Sequence, residues 1–447
     1  MKKVFAFIFT FSFTLTLFPQ ITAEQKLDKL INTYTLAGKF NGSVLIARHG
    51  KILLEKGYGY KNFRDSSLNN PNTIFQIASV TKQFTSTVIL KLVELNKLSL
   101  TDKLSKYYPD FPKGDSINIE NLLTHTSGIY DWINSTMSFS PTNEQTLLAF
   151  LRTKNLNFSP GTNWSYSNSN YSLLGYIIQK VTGVSYENAV RKYIFNPLEM
   201  KHSGFDFKHL KNKEKATGYS TFSGSSKIEA TLYDSVAPFA AGEIYSNIGD
   251  LYKWHEGLQS YKIISRTSLQ KAYTPFKNHY GFGWQIDSLF GKRVTSHSGS
   301  ISGFSSNLAR IAEDSVIIIL LNNKEESGLE TITKEILSIL YNQSYSIPVT
   351  SHPVLLSKQT LKKYVGTYEV ISPHGPVSGK VTMENGRLIL KAHGGPKLEL
   401  FADKENHFID LSEENEGVVE FEIASDGKVD KIVFTQDGVS MSGKKIR

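Results

Sequence analysis

Four serines in this 447-residue chain stand three residues ahead of a lysine: Ser79–Lys82, Ser268–Lys271, Ser425–Lys428 and Ser442–Lys445. On a helix that spacing puts hydroxyl and amine on one face. An amine that has lost its proton can then take the hydroxyl proton, freeing the oxygen to attack a carbonyl. Context separates the four. Ser425 and Ser442 lie in a strand-rich C-terminal stretch, the former at a hairpin turn, and Ser268–Lys271 fits an exposed helical turn. Ser79 follows Ile74-Phe75-Gln76-Ile77-Ala78 and precedes apolar residues at helical spacing, Phe84, Val88, Leu92 and Leu95, within a helix predicted over 80–98. A helix start favours developing negative charge, and burial beside other cations would lower the Lys82 pKa. The competing explanation is a capping serine followed by a solvated lysine.

Composition removes other routes. Cysteine is absent, which excludes a thiol nucleophile, disulfides and thiolate metal sites. The GxSxG elbow of α/β-hydrolases does not occur. His255-Glu256-Gly257-Leu258-Gln259 opens like a zinc helix, but Gln259 stands where a second histidine is needed. The 11 histidines show no paired spacing, so neither a metal nor a cofactor is expected. An apolar fraction of 40% and a charged fraction of 20% describe a globular chain. The net charge of +9 is spread without a basic stripe, which argues against a nucleic-acid partner.

The elements that must position Ser79 mix both periods. Residues 43–48 and 51–55, around His49-Gly50, predict a hairpin. Residues 170–181 predict a helix, 315–321 a buried strand and 330–341 a closing helix. Strands at both ends with helices between predict an α+β domain over 24–345, an antiparallel sheet flanked by helices, whose terminal segments share that sheet. Residues 346–356, with Pro348 and Pro353 among small polar residues, read as a linker. Over 357–447, short alternating runs are separated by Asn385-Gly386, Asp426-Gly427 and Asp437-Gly438, which predicts a small antiparallel β domain of barrel type. At the other end, Lys2, Lys3, an apolar run from Val4 to Phe18 and small residues near Ala23 have the form of a secretory signal over 1–23. The run is shorter than the ~20 residues of a membrane span. A cleaved signal implies a periplasmic or secreted protein with no membrane span and, without cysteine, no lipid anchor; an uncleaved N-terminal anchor is the alternative.

Residues 75–84, Phe-Gln-Ile-Ala-Ser-Val-Thr-Lys-Gln-Phe, resemble the nucleophile segment of the serine β-lactamase and penicillin-binding protein superfamily. Two later segments resemble its other motifs in the same order. Pro160 to Asn168 is similar to the Tyr-x-Asn segment; the tripeptide recurs at Tyr60, Tyr186 and Tyr245, but Tyr166 alone has Pro-Gly ahead and a Leu-Leu-Gly helix behind. Ser296 to Phe304 resembles the third motif in a His-x-Gly form, and Leu122 to Gly128 is similar to another hallmark, in which His125 reads as structural. The resemblance runs from about residue 40 to 340 and implies a transpeptidase-like α+β fold with an all-helical region. It also implies roles. Ser79 becomes acylated while Lys82 and Tyr166 share the proton work. Asn168 orients Lys82 or a substrate amide, and His297, Gly299 and Ser300 border the substrate. The backbone N–H groups of Ser79 and Ser300 form the oxyanion hole. An ordinary tyrosine titrates near ~10, so a tyrosinate at Tyr166 would need cations close by.

Tyr-x-Asn is similar to the class C β-lactamase and DD-peptidase branch, whose third motif typically reads Lys-Thr-Gly, with the lysine helping to hold a substrate carboxylate. Here His297-Ser298-Gly299 departs from it, and neutral imidazole is the weaker anion partner. His-x-Gly occurs among relatives that look like esterases, D-aminopeptidases and other peptidases. Arg310 is the residue expected to supply a carboxylate contact instead. Leu361 to Glu369 resembles the opening of lipocalin-like domains appended to some members, which implies either cover over the cleft or an accessory domain. The expected function is an exported serine hydrolase acting through an acyl-enzyme on a small peptide, ester or β-lactam-like substrate. The alternatives are a β-lactamase or D-alanyl-D-alanine carboxypeptidase, a slow-turnover sensor binding β-lactams or peptidoglycan fragments, and an adhesin without serine reactivity.

Overall fold

The structure, a computed structural model, describes residues 22–446 apart from 136–138, 224–225, 233–236, 326–327, 347–355, 373–374, 385–386, 393–396, 411–416 and 437–438. The apolar run of the expected signal, most of the expected linker and two of the three hairpin dipeptides lie outside the described residues.

Six strands form the central sheet: β1 (Gly42–Arg48), β2 (Lys51–Tyr58), β3 (Gln285–Leu289), β4 (Lys292–Ile301), β5 (Phe304–Ile311) and β6 (Val316–Asn322). Their order is β2-β1-β6-β5-β4-β3, every pair antiparallel, so the first and last strands of the domain meet as expected. The all-apolar run of β6 is explained by burial on both faces. Ile317, Ile319 and Leu321 join Phe84, Val88 and Leu92 in one core, while Val316, Ile318 and Leu320 join Leu27, Leu30, Ile332 and Ile336 in another. Alternate side chains of a strand point to opposite faces, so this one strand anchors both layers.

The second layer contains a helix that sequence reasoning did not anticipate, Ala23–Leu36. Its apolar positions Leu27, Leu30, Ile31 and Tyr34 have helical spacing and are buried, and Thr22 and Gln25 close a capping box at its start. It packs beside the closing helix Leu329–Leu340. On the opposite face lie the helix Thr81–Glu94, eleven of whose residues are buried, and the helix Asn168–Thr182, which ends at Gly183 with φ +72.

Beyond the first domain, eight strands from Gly366–Ser372 to Val439–Lys445 pair in sequence order and close a barrel through Tyr368↔Lys445 and Glu369↔Lys444. Tyr368, Val381, Leu388, Phe408 and Val419 fill it. At the seam a Cβ on Gly443 would lie 2.4 Å from the Glu369 carbonyl oxygen, so closure there requires glycine. The Asp426-Gly427 turn forms as expected, with Gly427 at φ +81.

Candidate active site

Ser79 sits in a 3-10 turn, Ala78–Val80, immediately before the helix Thr81–Glu94. It caps neither: the flanking positions are Ile77 and Val80, without side-chain capping bonds. Ala78 holds φ +46, a strained value for a residue with a Cβ, and turns Ser79 toward a cleft of about 960 Å³. Lys82, one turn on, is fully buried. The solvated-lysine explanation fails for this pair. It fits two of the others, where Ser268 hydrogen-bonds Glu94 on a surface helix and Lys428 projects from a turn, while Ser442 and Lys445 lie along a barrel strand whose i and i+3 side chains point to opposite faces.

Lys82 Nζ lies 2.8 Å from Asn168 Oδ1, 2.8 Å from the Ala241 carbonyl oxygen and 3.0 Å from Ser79 Oγ. Burial pulls its pKa down to about 7, against an opposing pull from Asp131. A neutral amine has two hydrogens and one lone pair. Two of its three neighbours are oxygens that can only accept, so both hydrogens go to them and the lone pair faces the serine hydroxyl. Asn168 can present its oxygen to Lys82 because its amide nitrogen donates to Asp131 Oδ2 at 3.0 Å. Asp131 is itself buried, and desolvation raises its carboxyl pKa.

Tyr166 approaches from the helix Asn168–Thr182 side. It lines the cleft with Ser79, and its ring centroid is 4.8 Å from Lys82 Nζ. Burial pushes the phenol well above its ordinary value, and the Asp131 charge adds to that. Of the two forms left open by the sequence, desolvation favours the phenol over the tyrosinate. Behind Tyr166 stands His125, fully buried at φ +58, its ring 4.4 Å from the tyrosine ring. His125 Nδ1 accepts the Ser167 N–H at 3.2 Å, which fixes the backbone between Tyr166 and Asn168. That is a structural placement, as expected.

The opposite wall is β4. A Cβ on Gly299 would fall 2.5 Å from the Ile77 carbonyl oxygen and 2.9 Å from Ser79 N, so this strand reaches the serine turn only because position 299 has no side chain. Ser306 on β5 ties the same turn by donating to the Ile77 carbonyl at 2.8 Å. Ser300 follows on the cleft wall with Ser79. His297 also borders the cleft but is 4% exposed, and both nitrogens face protein groups. Nδ1 is 2.6 Å from the Ser298 carbonyl oxygen, which must accept, so Nδ1 carries the proton; Nε2 then accepts from the Tyr280 hydroxyl at 2.9 Å. Burial lowers its pKa to about 3, so the ring is neutral. His297 thus stands on the cleft wall as expected from the sequence, with no ring N–H directed outward.

Arg310 is corrected as well. It is 1% exposed, and its guanidinium donates to His255 Nδ1 at 2.9 Å, to Gln259 Oε1 at 3.1 Å and to the Tyr273 hydroxyl. Its guanidinium is committed to these partners, and Arg310 is not among the residues lining the cleft. No described barrel residue lines the cleft either. Three contributors were missed from sequence. Asp131 and Tyr280 belong to no spaced motif, and Ala241 acts through its carbonyl, which leaves no trace in side-chain type.

The sequence profile of the Beta-lactamase family matches residues 27–340. The chain is 33% identical over 323 residues to a putative penicillin-binding protein, PbpX, of Bacillus subtilis, covering 72% of this chain and 80% of that one. It is 30% identical over 450 residues to penicillin-binding protein 4* of the same organism, covering 93% and 97%. Among solved structures, the octameric penicillin-binding protein homologue from Pyrococcus abyssi superposes with a TM-score of 0.67 at 26% identity, covering 93% of this chain and 99% of that one. With the fold and the three motifs assembled at one cleft, the chain belongs to the Beta-lactamase family, within the serine β-lactamase and penicillin-binding protein superfamily of serine hydrolases.

Proposed function

We propose that the protein is an exported serine hydrolase that cleaves an amide or ester through an acyl-enzyme on Ser79, a peptidase or esterase related to the DD-peptidases. The observation that carries this reading is the burial of Lys82 with its Nζ 3.0 Å from Ser79 Oγ. Lys82 takes the hydroxyl proton as the oxygen attacks the carbonyl carbon. The resulting oxyanion is held by the N–H groups of Ser79 and Ser300; losing one such donor typically costs ~3 kcal/mol of transition-state stabilisation. Collapse expels the leaving amine or alcohol, protonated by the Tyr166 phenol, which is re-supplied from the Lys82 ammonium. Water then releases the acid by the same groups in reverse. Export rests on the N-terminal run of residues 2–18, which supports a periplasmic or secreted location.

The test is intact-protein mass spectrometry after exposure to a fluorophosphonate and to a penicillin, with Ser79→Ala alongside. One adduct on the wild type and none on Ser79→Ala is the expected result. No adduct from either probe sinks the reading. The similarity to penicillin-binding proteins favours acylation by the penicillin, and the lifetime of that adduct separates a β-lactamase from a slow-turnover sensor.

A further inference from the structure

The chain holds 50 lysines and arginines, yet neither type occurs among the described residues lining the cleft. The undescribed stretches beside the lining segments, 136–138, 233–236 and 326–327, contain neither type in their sequence. Lys82 is enclosed by its three oxygen neighbours at the bottom of the site. His297 offers no outward N–H, and the guanidinium of Arg310 is committed to His255, Gln259 and Tyr273. Among the described residues that line the cleft, no cation is placed to hold a substrate carboxylate.

The charged groups at the cleft's far end are acids. Glu325 and Glu330 line it, and Glu325 Oε2 accepts the N–H of Gly303 at 3.3 Å, at the tip of the hairpin joining β4 to β5. Gly303 lies three residues past Ser300 across the β4–β5 turn, so the carboxylate sits within about 13 Å of the expected oxyanion donor. That is the reach of an amine on an extended side chain or of an N-terminal amine two residues away.

We propose that the cleft selects substrates bearing an ammonium group and no carboxylate, with Glu325 as the residue that reads the positive charge. The inference rests on the acyl-enzyme reading above. It is tested with three esters of one acyl skeleton that ends in an ammonium, a hydroxyl or a carboxylate. Their kcat/KM values are compared for the wild type, Glu325→Gln and Glu325→Lys. The glutamine keeps an acceptor for Gly303, so the hairpin tip is retained. The ammonium ester is expected to exceed the neutral one by about fivefold at low salt, the scale of a partly exposed ion pair. The ratio should fall toward one in Glu325→Gln, invert in Glu325→Lys, and shrink in wild type as salt is raised. Should the variants not fold, the salt series on the wild type still decides. Equal rates for the three esters, or a preference for the carboxylate, overturn the charge inference alone. No turnover of any ester together with no Ser79 adduct overturns the hydrolase reading and this one with it.

Discussion

Lys82 and Asp131 are opposite charges that do not touch, because the Asn168 amide stands between them, its oxygen 2.8 Å from the amine and its nitrogen 3.0 Å from the carboxylate. The amide passes on orientation while keeping the acid out of hydrogen-bonding range of the base. Lys82 therefore loses its proton near pH 7 instead of forming a permanent ion pair.

The acylation rate should track that proton. Lys82 is the acting base when neutral, so the rate rises about tenfold per pH unit below about 7 and levels above it. Asp131 raises the Lys82 pKa, so Asp131→Asn should move the rising limb to lower pH. Stopped-flow acylation across pH 5 to 9 reads both, and a limb that stays put in the variant contradicts the coupling.

Tyr166→Phe separates the two proton-transfer roles. With the phenol held protonated, its loss should slow amide cleavage by about 10²–10³-fold, in the range of general-acid catalysis. An ester with a good leaving group should suffer much less. Equal losses on both substrates would instead place Tyr166 in the activation of Ser79.

Gly299→Ala should disable the site without unfolding the sheet. The new Cβ meets the Ile77 carbonyl and Ser79 N, forcing β4 away from the serine turn and displacing the Ser300 N–H. A loss of about 10²-fold in acylation is expected with a nearly unchanged melting temperature. Full activity in this variant would show that the strand's close approach does not matter.

Arg310→Met tests the arginine's commitment to its buried partners. It leaves His255, Gln259 and Tyr273 without their donor, which should cost roughly 2–4 kcal/mol of stability. Preference between carboxylate and neutral substrates should not change. A selective loss of carboxylate substrates would return Arg310 to the cleft.

Much of this protein follows from its sequence alone, because the relevant physics is local. Ser79 and Lys82 share a face through helical spacing, and the helix Asn168–Thr182 is legible from its apolar period and its Gly183 stop. The barrel shows in alternating runs and in the Asp426-Gly427 turn. What the tertiary structure decided is the chemical state of those residues. Lys82 loses its proton near pH 7 because the layers above and below exclude water, while Asn168 and Ala241, 159 residues away, take its hydrogens. His297 points its lone pair inward because Tyr280 donates to it from another loop, and Arg310 is lost to the cleft because β5 turns it toward His255. Protonation and orientation depend on desolvation and on partners brought from distant parts of the chain, and neither is written in the spacing of a motif.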